Sequence, residues 1–258
     1  MEFETMKLHL AGCEGFPELV EELKPRFVLG SFFYMYGKRN PAIIPDCEHY
    51  ILDSGAYSIQ LGKIVDWDKY LDSYIELIKS SSNVHQYVEL DIDSVVGLSQ
   101  VEQWRDKLEA ETGREPIPVW HKAMGDDGWI NLVNSYQYVG IPCKNPKEKL
   151  DENYWNRFIR LAHENNVKVH GFGVSANEKI LRYDFDSIDS SSWAGGCRFG
   201  VRYRFTGDSI QLYREDGYLE GGAPDVKEMN RTNMIEWIKF QNWIYQTKTT
   251  PKKHHGFW

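Results

Sequence analysis

Two acidic segments carry residue types and spacing suited to chemistry. The first, Tyr50-Ile51-Leu52-Asp53-Ser54-Gly55-Ala56-Tyr57-Ser58, runs apolar and aromatic residues straight into Asp-Ser-Gly. That is the pattern of a buried strand ending in a tight turn. Such a strand delivers one carboxylate, Asp53, to a sheet rim, and Gly55 lets the backbone turn sharply behind it. Tyr57 offers a flat ring close by. The second segment, Phe185-Asp186-Ser187-Ile188-Asp189-Ser190, repeats the arrangement far downstream. Two rim carboxylates on distant strands, with aromatics between them, suit acid/base or nucleophilic work on a ring-shaped substrate. The plainer reading of each Asp is a helix cap after its strand.

The elements that must position these residues alternate along the chain. Strand patterns fall at residues 8–12, 27–33, 50–53, 86–91, 117–121, 138–141, 167–173 and 186–189. Helical patterns separate them. The clearest spans 66–80, where Trp67, Tyr70, Leu71, Tyr74 and Leu77 form one stripe. This alternation predicts an α/β fold with a parallel sheet, most economically a single (β/α)8 TIM barrel over residues 1–246. Beyond the eighth strand, a hairpin around Gly207-Asp208 and a helix over 226–245 form a C-terminal extension. Residues 247–258, with Lys252-Lys253-His254-His255, are expected to form a flexible basic tail. In such a barrel the C-terminal strand ends gather at one mouth. Here they read Asp53, Asp91 and Asp93, His121, Gly140, His170 and Asp189.

Composition narrows the setting. A chain of 258 residues that is 41% hydrophobic can bury a sizeable core as one domain. No apolar run approaches the ~18 residues of a bilayer span. The acidic start Met1-Glu2-Phe3-Glu4 lacks the order of a signal peptide. A cytoplasmic protein without a membrane partner is the expectation. The four cysteines, Cys13, Cys47, Cys143 and Cys197, are too scattered for a metal or redox motif, so reduced thiols, no metal and no cofactor are expected. The net charge of −8 argues against indiscriminate nucleic-acid binding but leaves room for a local basic strip. Arg198, Arg202 and Arg204 form such a strip, and arginine suits bidentate phosphate contacts. Ordinary solvated charge on a hairpin is the alternative.

Taken in order, these segments resemble the tRNA-guanine transglycosylases and their DNA-modifying relatives, which insert 7-deazaguanine bases into nucleic acid. Leu52-Asp53-Ser54-Gly55-Ala56-Tyr57-Ser58 looks like the family's Asp-Ser-Gly-Gly-(Phe/Tyr)-Gln. Asp186-Ser187-Ile188-Asp189-Ser190, followed by Arg198-Phe199-Gly200 and Phe205-Thr206-Gly207, is similar to its nucleophile segment and Thr-Arg-Gly region. Tyr138-Val139-Gly140-Ile141-Pro142 stands where the family has its Gly-Gly-Leu base-binding strand. Val169-His170-Gly171-Phe172-Gly173 stands where it has Leu-Met-Gly-Val-Gly. The family's C-x-C-x-x-C…H zinc motif is absent from this sequence, and the chain is short. Both departures favour a compact, DNA-acting or virus-encoded branch.

The resemblance implies a role for each residue. Asp189 attacks C1′ of a nucleotide and expels guanine, and Asp53 takes the proton of the incoming base. Asp91 or Asp93, a register open by two residues, reads the Watson–Crick edge. Tyr57 and His170 sandwich the base. Gly140, Ile141 and Gly171 line it and let backbone approach, with steric need between strand and helix as the plain alternative. Arg198 and Arg202 hold flanking phosphates. The implied partners are nucleic acid, DNA ahead of tRNA, and a free 7-deazaguanine (preQ0-like) base. A homodimer or a partner subunit is compatible with the family. The rival readings are a glycoside or nucleoside hydrolase acting on a small molecule, and a catalytically silent subunit of a transglycosylase.

Overall fold

A computed structural model describes residues 3–37, 44–55, 66–143, 153–195, 201–213 and 226–251. Seven parallel strands form its sheet: β1 (Lys7–Ala11), β2 (Phe27–Ser31), β3 (His49–Asp53), β4 (Gln86–Tyr87), β5 (Tyr138–Pro142), β6 (Lys168–Phe172) and β7 (Ser187–Ser190). They are hydrogen-bonded in the order β4-β3-β2-β1-β7-β6-β5. Residues 117–119 close the ring. Isolated parallel bridges join Val88 to Ile117 and Val119 to Gly140. Eight chain segments therefore circle the axis in sequence order, and the expected (β/α)8 barrel stands.

Pro118 explains why the closing segment pairs so briefly, because it has no N–H to donate. A side chain supplies the missing pairing. Glu89 Oε1 accepts the Val119 N–H at 2.6 Å, and Glu89 Oε2 accepts from Arg105 Nε at 2.5 Å. Both residues are buried, so this ion pair seals the weakest seam of the barrel from within the wall.

Strand alternation sorts the side chains into two layers. Ala11, Leu29, Ile51, Val88, Ile117 and Val119 point inward and form a small cluster on the axis. Leu8, Leu10, Val28, Leu52, Val139, Ile141 and Ile188 point outward into the main core beneath the helices. The helix Trp67–Ser80 buries Tyr70, Leu71, Tyr74, Ile75 and Ile78, while Trp67 and Leu77 are only partly covered. Its N-cap Asp66 accepts from the Lys69 N–H.

The C-terminal extension follows the expectation. Strands β8 (Arg202–Phe205) and β9 (Ile210–Tyr213) form an antiparallel hairpin, with Gly207 at φ 102° in the turn. The helix Val226–Thr247 then returns along the barrel. Its buried Gln241 Nε2 lies 2.7 Å from the Leu8 carbonyl and 2.9 Å from that of Phe27, tying β1 to β2. One boundary is corrected. Residues 249–251 do not begin a free tail but pair antiparallel with Phe3–Thr5, whereas 252–258 lie outside the described residues. Among the described residues, no helix is long and apolar enough to cross a membrane.

Candidate functional site at the C-terminal mouth of the barrel

Asp53 is the last residue of β3, and the chain leaves it as the sequence pattern requires. Gly55 has φ 80°, and a Cβ there would stand 2.3 Å from Phe33 Cβ. The Gly55 N–H donates to Asp53 Oδ2 at 3.1 Å. Below this turn, Tyr70 donates to the Ser54 carbonyl at 2.5 Å, and the Tyr74 hydroxyl lies 2.8 Å from the carbonyls of Leu52 and Val88. Two tyrosines of one helix thus fix the strand end that carries the carboxylate. Burial pushes the Asp53 carboxyl up to about 7, and the negative charge of Asp189 adds to the rise. Glu14, whose carboxylate accepts the Ser31 N–H, adds a smaller push.

Asp189 is buried on β7, two residues above Ser187, with which it shares the inward face. Its Oδ1 accepts the Gly173 N–H at 2.8 Å and lies 3.4 Å from His170 Nε2. His170 Nδ1 meets the Ser187 hydroxyl, which also meets the Tyr138 hydroxyl. One proton order that satisfies the whole chain runs toward the carboxylate. Tyr138 donates to Ser187, Ser187 to His170 Nδ1, and His170 Nε2–H to Asp189. Asp189 Oδ1 is thereby held by two donors, while Oδ2 accepts no hydrogen bond among the described residues and is left to act.

Asp91 and Asp93 are separated by a bend. Ladder pairing ends at Val88, and successive tight turns follow, with Asp91 N–H to the Glu89 carbonyl at 3.1 Å and Ile92 N–H to that of Leu90 at 2.9 Å. The bend aims Asp91 toward Asp53. Burial, then the Asp53 charge, drive the Asp91 carboxyl well above the usual carboxylate range. Asp93 instead opens the helical turn Asp93–Val96, and its Oδ1 lies 3.5 Å from His121 Nδ1. Burial lowers the His121 pKa, against the opposing pull of the Asp93 charge.

Several expectations fail on burial. His170 is fully buried, with Phe172 edge-on above it at 4.4 Å, so it braces Asp189 and has no face to stack on a base. Ile141 points outward into the core under the helices and cannot line the mouth. A Cβ on Gly140 would stand 2.4 Å from the Phe172 ring, and one on Gly171 would stand 3.0 Å from Phe185. Both glycines make room for neighbouring rings, which is the plainer of the two readings. Tyr57 and Arg198 lie outside the described residues. Arg202 is half-buried in β8, while Arg204 is exposed.

Sequence reasoning overlooked Ser187, Tyr138 and Glu14. The first two were within reach, because the period-two alternation that turns Asp189 inward also turns Ser187 inward, and Gly140 does the same for Tyr138. Glu14 sits in a short 3-10 turn after β1 and carried no local signal. Among the described residues, no group of three or more His, Cys, Asp or Glu is placed to hold a metal ion.

Fold and site together define an α/β barrel whose C-terminal mouth gathers mutually interacting carboxylates, one of them braced by a buried histidine. No protein-family model and no curated protein matches the sequence. Among solved structures, one described as "QR15, an Aldolase" is similar at a TM-score of 0.45 and 13% identity, over 72% of this chain and 89% of that one. The functional reading rests on the site.

Proposed function

We propose that the protein is a base-exchange transglycosylase that replaces guanine with a 7-deazaguanine base in nucleic acid, with DNA favoured over tRNA. One arrangement carries the reading: Asp53 ends β3 and Asp189 lies next to the end of β7, so two separate strands bring a carboxylate each to the same C-terminal mouth, and the charge of Asp189 acts on Asp53. Asp189 Oδ2 attacks C1′, the N9–C1′ bond breaks, and guanine leaves with the bonding pair. Protonated Asp53 gives that base its proton. The resulting Asp53 carboxylate then takes the N9 proton of the incoming base, whose N9 attacks C1′ and breaks the Asp189 ester. A group poised near pH 7 suits both directions of transfer. Division of one substitution into two displacements follows the logic of retaining glycosidases.

Asp91 supports the same reading as the acceptor for the adjacent N–H donors of the base, since Asp93 lies past the bend, at the start of the next helical turn beside His121. Phe172, at the end of β6, is the ring this strand offers to the mouth in place of His170. Arg202 on the hairpin suits a flanking phosphate. A base must leave its stack to reach a barrel mouth.

The test is incubation of the protein with labelled guanine or 7-cyano-7-deazaguanine and either DNA or tRNA. Label entering one polymer selects that polymer. Cleavage of free nucleosides without incorporation marks a hydrolase, and loss of turnover only without a copurifying subunit marks a silent partner. A covalent protein–nucleic acid adduct that survives Asp189→Asn would overturn the role given to Asp189.

A further inference from the structure

His121 carries a buried nitrogen that the protein itself does not satisfy. The side chain keeps 18% of its surface in contact with solvent, yet Nε2 is covered and has no hydrogen-bond partner among the described residues. A buried polar atom without a partner is costly, and in a native fold it calls for a ligand group or an ordered water. The exchange chemistry assigned to Asp53, Asp189 and Asp91 does not use it.

Its place in the barrel narrows the choice. The alternation that turns Ile117 and Val119 onto the axis continues through His121, whose backbone is extended at φ −116° and ψ 145°. The ring therefore enters the mouth one layer above Val119. Val88 pairs with Ile117, so Asp91 and His121, three and four residues further on, top neighbouring segments. Asp93 orients the ring, with Oδ1 3.5 Å from His121 Nδ1. A carboxylate only accepts, so Nδ1 carries the proton and the lone pair of the uncharged ring lies on Nε2, directed away from Asp93. Burial, opposed by the Asp93 charge and helped by that of Arg105, favours this uncharged ring.

A bare ring nitrogen accepts and cannot donate, so the group it awaits is an N–H or O–H of the ligand. A guanine-like base has one to spare. The two oxygens of Asp91 take N1–H and the 2-amino hydrogen parallel to it, and the second amino hydrogen diverges from both. We infer that His121 Nε2 accepts this second hydrogen, which makes His121 a specificity residue for bases with a 2-amino group over bases with hydrogen at C2. The inference rests on the base-exchange reading and adds to it which bases the mouth admits. A base without the amino group leaves Nε2 and one Asp91 oxygen unpaired, and a site built to hydrogen-bond an N–H rejects the analogue that lacks it. Access needs a small movement. The neighbouring Met124, whose Sδ accepts the His121 N–H at 3.4 Å, is an unbranched side chain able to make it.

The experiment is a calorimetric titration of the full chain at pH 8 with 7-deazaguanine and, separately, with 7-deazahypoxanthine, which lacks only the 2-amino group. An ordinary imidazole is uncharged at that pH. Wild type is expected to bind 7-deazaguanine at least about a hundredfold more tightly. His121→Leu should weaken 7-deazaguanine about tenfold, near the worth of one hydrogen bond, and leave 7-deazahypoxanthine within roughly twofold. His121→Gln brings a carbonyl oxygen near the position of Nε2 and should keep most of the preference. In wild type the His121 Cε1–H resonance should move with 7-deazaguanine and stay in place with 7-deazahypoxanthine, a readout that needs no variant to fold. Equal weakening of both bases by His121→Leu, no weakening of either, or equal binding of both by wild type overturns the inference, and an ordered water then completes Nε2. A wild type that binds neither base overturns the base-exchange reading and this inference with it.

Discussion

His170 Nε2 lies 3.4 Å from Asp189 Oδ1, inside a barrel wall that leaves the histidine no contact with solvent. The pair ends a chain of donors that starts at the Tyr138 hydroxyl and passes through Ser187. A carboxylate fixed on one oxygen presents the other in a single direction, and direction governs the rate of an in-line displacement.

His170→Ala should therefore lower kcat about a hundredfold and leave KM nearly unchanged, the scale of a misplacement near 1 Å. Ser187→Ala, which loosens the ring but keeps it, should cost about tenfold. The formation rate of the covalent adduct, measured in a single turnover on folded protein, separates this positioning role from a loss of stability.

Asp53 sets the pH response. Its folded pKa of about 7 stands well above the ~3.9 of an unfolded aspartate. The fold thus retains a proton that the unfolded chain releases between those values. Stability from this group is complete below about pH 4, falls as pH rises toward 7, and levels off above. Asp53→Asn should raise stability at pH 8 by roughly 1–3 kcal/mol in urea unfolding while abolishing exchange. Asp189→Asn removes a negative neighbour and should lower the Asp53 pKa, as read from its carboxyl carbon by NMR.

The frame of this site is plain in the sequence because strand ends and glycine turns leave local marks. Asp53 before Gly55 and Asp189 after Ile188 both appear where the patterning puts them. What the sequence hides is which way a residue faces once the ladder breaks. Asp91 and Asp93 look equivalent on an extended strand, but the turns after Val88 give them different partners. His170 looks like a stacking residue at a strand end, yet it is fully buried, beneath Phe172. The closing segment reads in the sequence as an ordinary strand over 117–121. Pro118 reduces it to two bridges, and its stabilisation comes from Glu89, a tertiary contact with no local signature.

That contact carries its own prediction. Glu89 and Arg105 are both buried, and removal of one partner leaves a charge uncompensated. Arg105→Met should cost about 3–5 kcal/mol in urea unfolding. Glu89→Gln/Arg105→Met should cost less than the sum of the single changes, because the double variant buries no lone charge. Additive losses would show that the two side chains act independently and that the seam is sealed by other contacts.

Asp91 provides the sharpest contrast within the mouth. Burial and the Asp53 charge favour its neutral form. A guanine-like edge presents adjacent N–H donors, and only an ionised carboxyl can accept from both. Binding of the free base must then drive a proton off Asp91, so affinity should rise with pH until the carboxyl is ionised without help. Calorimetric titrations in buffers of different ionisation enthalpy should report protons released on binding, the number falling as pH rises and the carboxyl ionises unaided. Asp91→Asn keeps the shape, but its amide N–H₂ opposes a donor edge, and kcat/KM for the base should fall at least a hundredfold. Asp93→Asn disturbs only the contact with His121 and should cost less than tenfold. If the two variants lose activity equally, or if base binding moves no proton, Asp91 does not read the base.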